Sequence, residues 1–243
     1  MAEVAVGSGK KVTLNVDLGE LPDEPAALYR LATQVNVACG GHAGDATSMT
    51  EACRGARAGG ATLAAHPSYP DREGFGRRRI ELGTEVLRAS LAEQCAALRT
   101  IAAAEGLTLQ TLKPHGALYH DVGDDDALAR ALVGAALDAL GGQGVVTFVG
   151  APGGRLAEAC AREPSKARFV AEAFADRAYD GDRLRARGRP GALLTEPAAA
   201  AAQAVWLAKQ GRFGTVCVHG DTPGAVAIAT AVRAALEAEG LLA

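Results

Sequence analysis

Short apolar runs alternate with longer, alanine-rich segments along the whole chain. Most of the short runs are nearly continuous in Val, Leu, Ile and Ala, which is typical of strands that are buried on both faces. They predict seven strands, at residues 11–16, 34–38, 61–65, 108–112, 145–149, 168–171 and 215–218. A further extended piece is predicted at residues 191–194.

The alanine-rich segments predict the helices that connect these strands. The predicted helices span residues 45–58, 83–105, 124–140, 153–162, 196–209 and 223–239. Asp45 is a candidate N-cap for the first of them, and Gly59-Gly60 is a plausible stop. The repeating strand–helix order indicates a parallel sheet.

Polar cassettes at the ends of the predicted strands favour a closed barrel over an open sheet. They lie at residues 15–20, 39–45, 66–72, 113–116, 172–177 and 219–221, and they contain four of the five histidines. A barrel brings all of its strand ends to one site, whereas an open sheet uses only the strands that flank a crevice. The first strand–helix link also lacks a Gly-x-Gly-x-x-Gly or Walker motif. We therefore predict one α/β barrel domain over residues 1–243, with residues 1–11 loosely ordered.

Composition excludes several classes of protein. The 25 basic and 28 acidic residues are interspersed along the chain, so the sequence has no concentrated positive charge that would bind nucleic acid or an anionic membrane. The arginine-dense stretch at residues 183–189 is interpreted as a solvated loop. Five cysteines without a CxxC pair indicate reduced thiols, and there is no apolar run of membrane length and no signal peptide. These features predict a soluble cytoplasmic protein.

The cassettes after the first two strands offer carboxylates and a histidine. Asp17 is a candidate general base or metal ligand, and Asn15 on the same strand face strengthens that interpretation over a simple turn acid. His42 and Asp45 follow the second strand, where helix amides bind anions. The alternative is that Asp45 only caps its helix and His42 only packs.

The remaining cassettes add bases and cations. In the Pro- and Gly-rich loop after the third strand, His66, Asp71 and Arg72 are candidates for base, carboxylate and anion-binding cation. The other candidates are Lys113, His115, Asp176, Arg177, His219 and Asp221. The structural alternative for Asp176 and Arg177 is a local ion pair. For His219 and Asp221 it is a packed histidine beside an Asp that caps the last helix. A pocket of this content suits hydrolysis by activated water, either metal-assisted or with phosphate chemistry.

These cassettes also carry a family resemblance. The motifs are NVDLGE (15–20), VNVACGGHAGD (35–45), AHPSYPDREGFGRR (65–78), LKPHGALYHD (112–121), EAFADRAY (172–179), RPGALL (189–194) and VCVHGDTPGAV (216–226). In this order they resemble the LamB/YcsF family, the A subunit of bacterial ATP-dependent 5-oxoprolinase. The resemblance implies a distorted TIM-like (β/α) barrel that is related to glycoside hydrolases and polysaccharide deacetylases.

The resemblance also implies an activity, a cofactor and partners. The implied reaction opens the lactam ring of 5-oxo-L-proline to give L-glutamate, at the expense of ATP. ATP, with Mg²⁺, is the implied cofactor, and a partner subunit is expected to bind much of it because this chain has no phosphate-loop motif. Subunits B and C are the implied partners, and homo-oligomerisation is left open.

The expected roles follow from this chemistry. Asp17 is the leading base, the pocket is lined by His42, His66, His115 and His219, and the anion is held by Lys113, Arg72 and Arg177. One rival is a metal-dependent deacetylase or amidohydrolase that needs no ATP, with Asp17, His42 and His66 as candidate ligands. Another rival is a non-catalytic subunit that delivers substrate to a partner.

Overall fold

The computed structural model describes residues 10–243, and a closed barrel of seven parallel strands forms its centre. The barrel strands are β1 (Thr13–Leu18), β2 (Gln34–Ala38), β3 (Thr62–His66), β4 (Leu109–Leu112), β5 (Val146–Gly150), β6 (Ala167–Phe174) and β9 (Thr215–His219). β1 pairs with β2 and β9, and β6 pairs with β9, which closes the ring. The predicted α/β barrel is confirmed, whereas the prediction for the N-terminus falls largely on residues 1–9, outside the described residues.

Eight α-helices surround the barrel in the described part of the chain. They are α1 (Ala26–Leu31), α2 (Ala46–Gly59), α3 (Thr84–Ala104), α4 (Gly116–Asp124), α5 (Asp126–Leu140), α6 (Arg155–Ala161), α7 (Pro197–Lys209) and α8 (Ala225–Ala238). All six predicted helices are present, with ends that differ by one or two residues, and α1 and α4 are additional. Asp124 ends α4, and Asp125 caps α5 by accepting the amide of Ala127 at 2.8 Å.

The chain between β6 and β9 leaves the barrel and crosses its carboxyl end. It contains a two-stranded antiparallel hairpin of β7 (Tyr179–Asp180) and β8 (Arg183–Leu184), followed by α7. The prediction of an extended piece at residues 191–194 is confirmed only as a single bridge between Leu193 and Arg177. Residues 183–189, predicted as a solvated loop, are exposed or half-exposed, but they also contain β8 and contribute a wall of the cavity described below.

The barrel interior is a network of polar side chains. Outside the barrel, the buried face of β1 contributes Leu14, Val16 and Leu18 to the apolar core under the helices. Inside, Asn15 donates to Glu172 at 2.9 Å and to Thr215 at 2.7 Å, and Asn36 donates to both Asn15 and Asp17 at 2.7 Å. The predicted burial of the strands on both faces is therefore correct, but the inner face is polar. This network holds the side chains that continue into the site.

All five cysteines are free and buried. Burial raises the pKa of each thiol, to about 12 for Cys39 and Cys160 and to about 11 for Cys53. These thiols therefore stay protonated near neutral pH. Within residues 10–243, none of the helices combines the length and apolarity that a membrane span requires.

Candidate active site

A cavity of about 310 Å³ lies at the carboxyl ends of the barrel strands. The catalytic sites of TIM-like barrels lie at this end of the fold. The cavity brings together six of the side chains expected from the cassettes, namely Asp17, His66, Lys113, His115, Arg177 and His219. These residues come from the ends of four strands, β1, β3, β4 and β9, and from the segment after β6.

A buried ion pair forms the floor of the cavity. Nζ of Lys113 donates to Asp17 Oδ1 at 2.9 Å and lies 3.0 Å from Glu172 Oε1 and 3.0 Å from Cys217 Sγ. Burial alone would lower the pKa of Lys113 and raise that of Asp17, but the attraction between the two charges, with that of Glu172 for Lys113 and of His66 for Asp17, prevails. The pKa of Lys113 is raised well above its ordinary value, and that of Asp17 is held well below. Both groups are therefore charged at neutral pH.

His219 is oriented by Asp176. Nδ1 of His219 donates to Asp176 Oδ1 at 2.9 Å, and the same carboxylate accepts the backbone amide of His219 at 3.0 Å and the Thr222 hydroxyl at 2.6 Å. Nε2 of His219 lies 4.0 Å from Asp17 Oδ2, next to the floor. Burial would lower the pKa of His219, but Asp176 raises it. Asp176 thus partners His219 and not Arg177, the neighbour that the sequence offers as a local structural partner.

A second cluster, formed by Glu20, His42, His66 and His115, adjoins this floor. Glu20 Oε1 lies 3.0 Å from His42 Nε2, 3.1 Å from His115 Nδ1 and 3.7 Å from His66 Nε2. The His42 and His115 rings stack with their centroids 3.6 Å apart. Burial lowers the pKa of His42 to about 4 and also lowers that of His115. One atom from each of the four side chains lies within 4.8 Å of the others, so the cluster is compact enough to hold a metal ion.

Arg177 supplies a buried positive charge without an acidic partner. It is 6% exposed, and Nη2 donates to the backbone oxygen of Arg185 at 2.9 Å. Within the described residues its Nε has no hydrogen-bond partner, and the side chain forms no ion pair. Burial, and then the charge of Arg187, lower the pKa of Arg177. A guanidinium in this state is ready to accept an anionic ligand.

The other arginines at the cavity mouth are already paired. Asp221 accepts from Arg187 at 2.8 Å and also forms an ion pair with Arg77. Asp221, expected to bind substrate or phosphate, therefore links the segment after β6 to the loop after β3. It fixes the rim of the cavity.

Among the expected site residues that do not line the cavity, Asp45, Asp71 and Arg72 lie in the loops around it. Asp45 is exposed and caps α2, where its carboxylate accepts the amide of Ser48 at 2.9 Å. Asp71 accepts from Arg78 at 3.1 Å, and Arg72 donates to the backbone oxygen of Gly44 at 2.9 Å. These contacts shape and fasten the loops that carry His42 and His66. The expected catalytic role of Asp45 and the expected ligand-binding roles of Asp71 and Arg72 are therefore replaced by structural ones.

Several residues of the site are absent from the set expected from sequence. Glu20 and Glu172 lie in the cassettes, but the sequence favours Asp17 and Asp176 over them. Tyr119 lines the cavity with its buried hydroxyl beside Glu172. Asn36 and Cys217 carry a usable signal, because each is a polar or sulfur-containing residue flanked by valines in a buried strand. Such a residue on the inner face of a barrel strand points toward the site.

Comparisons with known proteins agree with this architecture. The A subunit of 5-oxoprolinase from Streptomyces griseus subsp. griseus is 44% identical over 248 residues, which cover 94% of this chain and 96% of that protein. The corresponding 5-oxoprolinase chain from Pyrococcus furiosus is 41% identical over 252 residues, with 95% and 96% covered.

Solved structures show the same fold. The crystal structure of the lactam utilization protein from Thermus thermophilus superposes with a TM-score of 0.85 at 36% identity and covers 96% of this chain and 98% of that one. A family 4 carbohydrate esterase from Streptomyces lividans matches with a TM-score of 0.52 at 16% identity over 97% of this chain and 91% of that one, which shows the barrel fold alone.

The sequence profile of the LamB/YcsF family matches residues 12–242, nearly the whole of the chain. The chain belongs to the LamB/YcsF family.

Proposed function

We propose that this chain hydrolyses the lactam ring of 5-oxo-L-proline to give L-glutamate, coupled to ATP hydrolysis, as the A subunit of a multi-subunit 5-oxoprolinase. Relatives that are named as this 5-oxoprolinase component match almost all of the chain, and a solved relative is named a lactam utilization protein. The observation that carries the proposal is the cavity itself. Its floor holds the Lys113–Asp17 pair, an oriented histidine faces that floor, and Arg177 stands free to bind an anion.

The cavity suits a small substrate with one carboxylate. Its volume of about 310 Å³ is at the low end for ligand sites. The substrate carboxylate would pair with Arg177, which has no ion-pair partner in the described part of the chain. The Tyr119 hydroxyl, which lies beside Glu172 and lines the cavity, would hydrogen-bond a polar atom of the lactam. The lactam carbon would then lie between the floor and His219.

The chemistry explains the need for ATP. A five-membered lactam is a resonance-stabilised amide that water attacks slowly. Transfer of the γ-phosphoryl group of ATP to the lactam oxygen forms an O–P bond and releases ADP. The phosphorylated oxygen makes the ring carbon more electrophilic. Attack by one water and cleavage of the C–N bond, with a proton delivered to the nitrogen, leave an acyl phosphate. A second water hydrolyses this acyl phosphate to glutamate and inorganic phosphate.

Within this scheme His219 is a better proton acceptor and donor than Asp17. Asp17 is the leading base by sequence, but its ion pair with Lys113 keeps its pKa low and its basicity weak. His219 has a raised pKa and a nitrogen fixed by Asp176, so it can take the proton of water and return it to the leaving nitrogen. The Lys113 charge would stabilise negative charge that develops on the reacting oxygens. Subunits B and C would supply the main nucleotide site.

The decisive experiment measures 5-oxoproline-dependent ADP release by this chain alone and with its B and C partners. We expect turnover in the complex and its loss in Asp17→Asn and His115→Ala, with the far-UV circular dichroism of each variant unchanged. Asp45→Asn is the matched control, because Asp45 lies outside the cavity and Asn is an equally good helix cap. Near-wild-type turnover in both cavity variants would refute the proposal. Turnover in the complex that survives both cavity variants at saturating 5-oxoproline, with only KM raised, would indicate a delivery role.

A metal-dependent amidohydrolase or deacetylase that needs no ATP is the second candidate, and one observation favours it. The cluster of Glu20, His42, His66 and His115 has the donor atoms of a metal centre. Ring opening or deacetylation without nucleotide, abolished by a chelator and restored by added metal, would support this candidate over the first.

A further inference from the structure

The backbone fixes which nitrogens of two histidines carry protons. Nδ1 of His66 lies 2.8 Å from the carbonyl oxygen of Lys113, and Nε2 of His115 lies 2.9 Å from the carbonyl oxygen of Phe75. A carbonyl oxygen only accepts, so each of these nitrogens must donate its hydrogen there. In the neutral imidazoles, the other two nitrogens are then acceptors.

These two acceptors face each other. Nε2 of His66 and Nδ1 of His115 are 3.0 Å apart, and Glu20 Oε1 lies 3.1 Å from the same His115 nitrogen. Two nitrogen lone pairs and a carboxylate oxygen thus converge on one buried point. His66, His115 and Glu20 have side chains that are at most 7% exposed, so solvent does not relieve the repulsion. A positive centre among these atoms removes it.

We propose that Glu20, His42, His66 and His115 bind one divalent transition-metal ion of the zinc type. The ligands are Oε1 of Glu20, Nε2 of His66 and Nδ1 of His115, with Nε2 of His42 as the fourth once its ring turns out of the parallel stack with His115. A tetrahedral site with metal–nitrogen distances of about 2.0–2.1 Å separates neighbouring ligand atoms by about 3.3 Å. Four of the six separations are 3.0, 3.0, 3.1 and 3.7 Å, which bracket that value, and all six are within 4.8 Å.

The surroundings of the cluster match those of known metal centres. Histidine ligands usually donate their second nitrogen to a backbone carbonyl or a carboxylate, and His66 and His115 both do so, whereas Nδ1 of His42 has no partner among the described residues. Phe75, whose carbonyl accepts from His115, has a φ of 54°, and no other non-glycine residue among those described has a positive φ. A backbone strained in this way persists where the surrounding structure demands it, and here it aims a carbonyl at the ligand.

A neighbouring group of similar composition does not need a metal. Asp17, Cys217 and His219 also place donor atoms within 4.8 Å of one another. Nζ of Lys113 already lies 2.9 Å from Asp17 Oδ1 and 3.0 Å from Cys217 Sγ, so this group has its cation. The charges of the two groups therefore assign the metal to the Glu20 cluster.

The donor set also selects the metal. Three imidazoles and one carboxylate suit zinc, cobalt, nickel or iron, whereas Mg²⁺ prefers oxygen ligands and keeps its waters. The proposed ion is thus distinct from any Mg²⁺ that accompanies a nucleotide. The inference concerns binding and stands whether or not the chain opens lactams.

The test titrates the purified full chain, stripped with a chelator, with Zn²⁺, Co²⁺ and Mg²⁺. We expect one Zn²⁺ per chain by elemental analysis after desalting, intense visible ligand-field bands with Co²⁺, and no competition from Mg²⁺. Glu20→Gln and His66→Ala should each weaken Zn²⁺ binding by more than about 10- to 100-fold, the loss typical when only an outer partner of a metal ligand is removed. His219→Ala is the matched control and should bind Zn²⁺ like the wild type.

Three outcomes would overturn the proposal. The first is an absence of stoichiometric Zn²⁺ or Co²⁺ binding by the wild type, which remains decisive if a variant fails to fold. The second is loss of binding in His219→Ala with retention in Glu20→Gln. The third is a shared proton only, seen as a single ¹⁵N–H between the two imidazoles that persists in the presence of excess Zn²⁺. Because binding is measured without turnover, none of these outcomes bears on the proposed reaction.

Discussion

Replacing Lys113 with methionine is expected to destabilise the protein by about 3–5 kcal/mol at neutral pH. Nζ of Lys113 lies 2.9 Å from Asp17 Oδ1 and 3.0 Å from Glu172 Oε1, and all three residues are at most 3% exposed. Methionine keeps most of the volume of the lysine stem, so the cost arises mainly from two buried carboxylates that lose their cation. In a domain of this size the melting temperature falls by about 2–4 °C per kcal/mol, which gives a decrease of about 6–20 °C.

The loss should also shrink as the pH falls. In the wild type, burial would raise the pKa of Asp17, but Lys113 together with His66 and His219 holds it below its unfolded value of about 3.9. The resulting stability is present above that unfolded pKa and is lost only as the pH falls through the still lower folded pKa. In the variant, burial without the cation raises the pKa of Asp17 above the unfolded value, so the folded variant gains stability as the pH decreases toward about 4.

Thermal and urea unfolding, followed by circular dichroism at about pH 7.5 and about pH 5, measures both effects. Lys209→Met is the matched control, because Nζ of Lys209 forms a half-exposed pair with Glu239 at 2.7 Å and such surface pairs contribute little. The double variant Asp17→Asn/Lys113→Met should recover part of the loss. The reasoning is refuted if Lys113→Met costs no more than Lys209→Met, or if its cost is the same at both pH values.

Three further predictions concern single side chains and backbone positions. His219→Ala should lower kcat by about 10²- to 10⁴-fold. Because Asp176 raises the pKa of His219, Asp176→Asn should shift the acidic limb of the kcat/KM pH profile to lower pH. An acidic limb that does not move would exclude His219 as the base. Arg177→Met should raise KM for 5-oxoproline by about 10- to 100-fold and change stability by less than about 1.5 kcal/mol, since its buried charge has no acidic partner in the described residues; an unchanged KM would contradict its role. Gly116→Ala, at a φ of 59° and with its Cβ overlapping a backbone oxygen of the loop after β3, should cost about 1–3 kcal/mol in urea unfolding. Gly123→Ala, inside α4 with open space around its Cβ, should instead stabilise by about 0.5–1 kcal/mol, and similar values for the two would refute the steric argument.

The barrel could be predicted because its strands are buried runs and its connections are alanine-rich helices. The two helices that the sequence does not reveal, α1 and α4, have 6 and 9 residues, and their N-cap residues, Pro25 and His115, provide no side-chain hydrogen bond. Strand β6 extends three residues past its predicted end, because the carboxylate of Glu172 interrupts the apolar run. That carboxylate lies inside the barrel, where Asn15 and Lys113 satisfy it.

The location of the site could also be predicted, since the carboxyl ends of all barrel strands meet at one end of the fold. The hydrogen-bond and ion-pair partners of the individual side chains could not be predicted. Asp45 and Asp176 look alike in sequence, yet one caps a helix in solvent and the other orients a buried histidine. The link between Arg187 and Asp221 joins positions 34 residues apart, and local patterns carry no information on such contacts.

Because every cysteine is buried, the reactivity of the thiols reports how often the folded chain opens transiently. A thiol reacts with disulfide or maleimide reagents only as an exposed thiolate, so the native chain should be silent toward them and the unfolded chain reactive at five sites. The rate of modification in native buffer therefore measures how often the buried thiols become exposed, without a denaturant. Added Zn²⁺ or 5-oxoproline should slow that reaction in proportion to its binding. Because the five native thiols do not react in the folded chain, a single cysteine introduced at the cavity rim could be labelled there selectively.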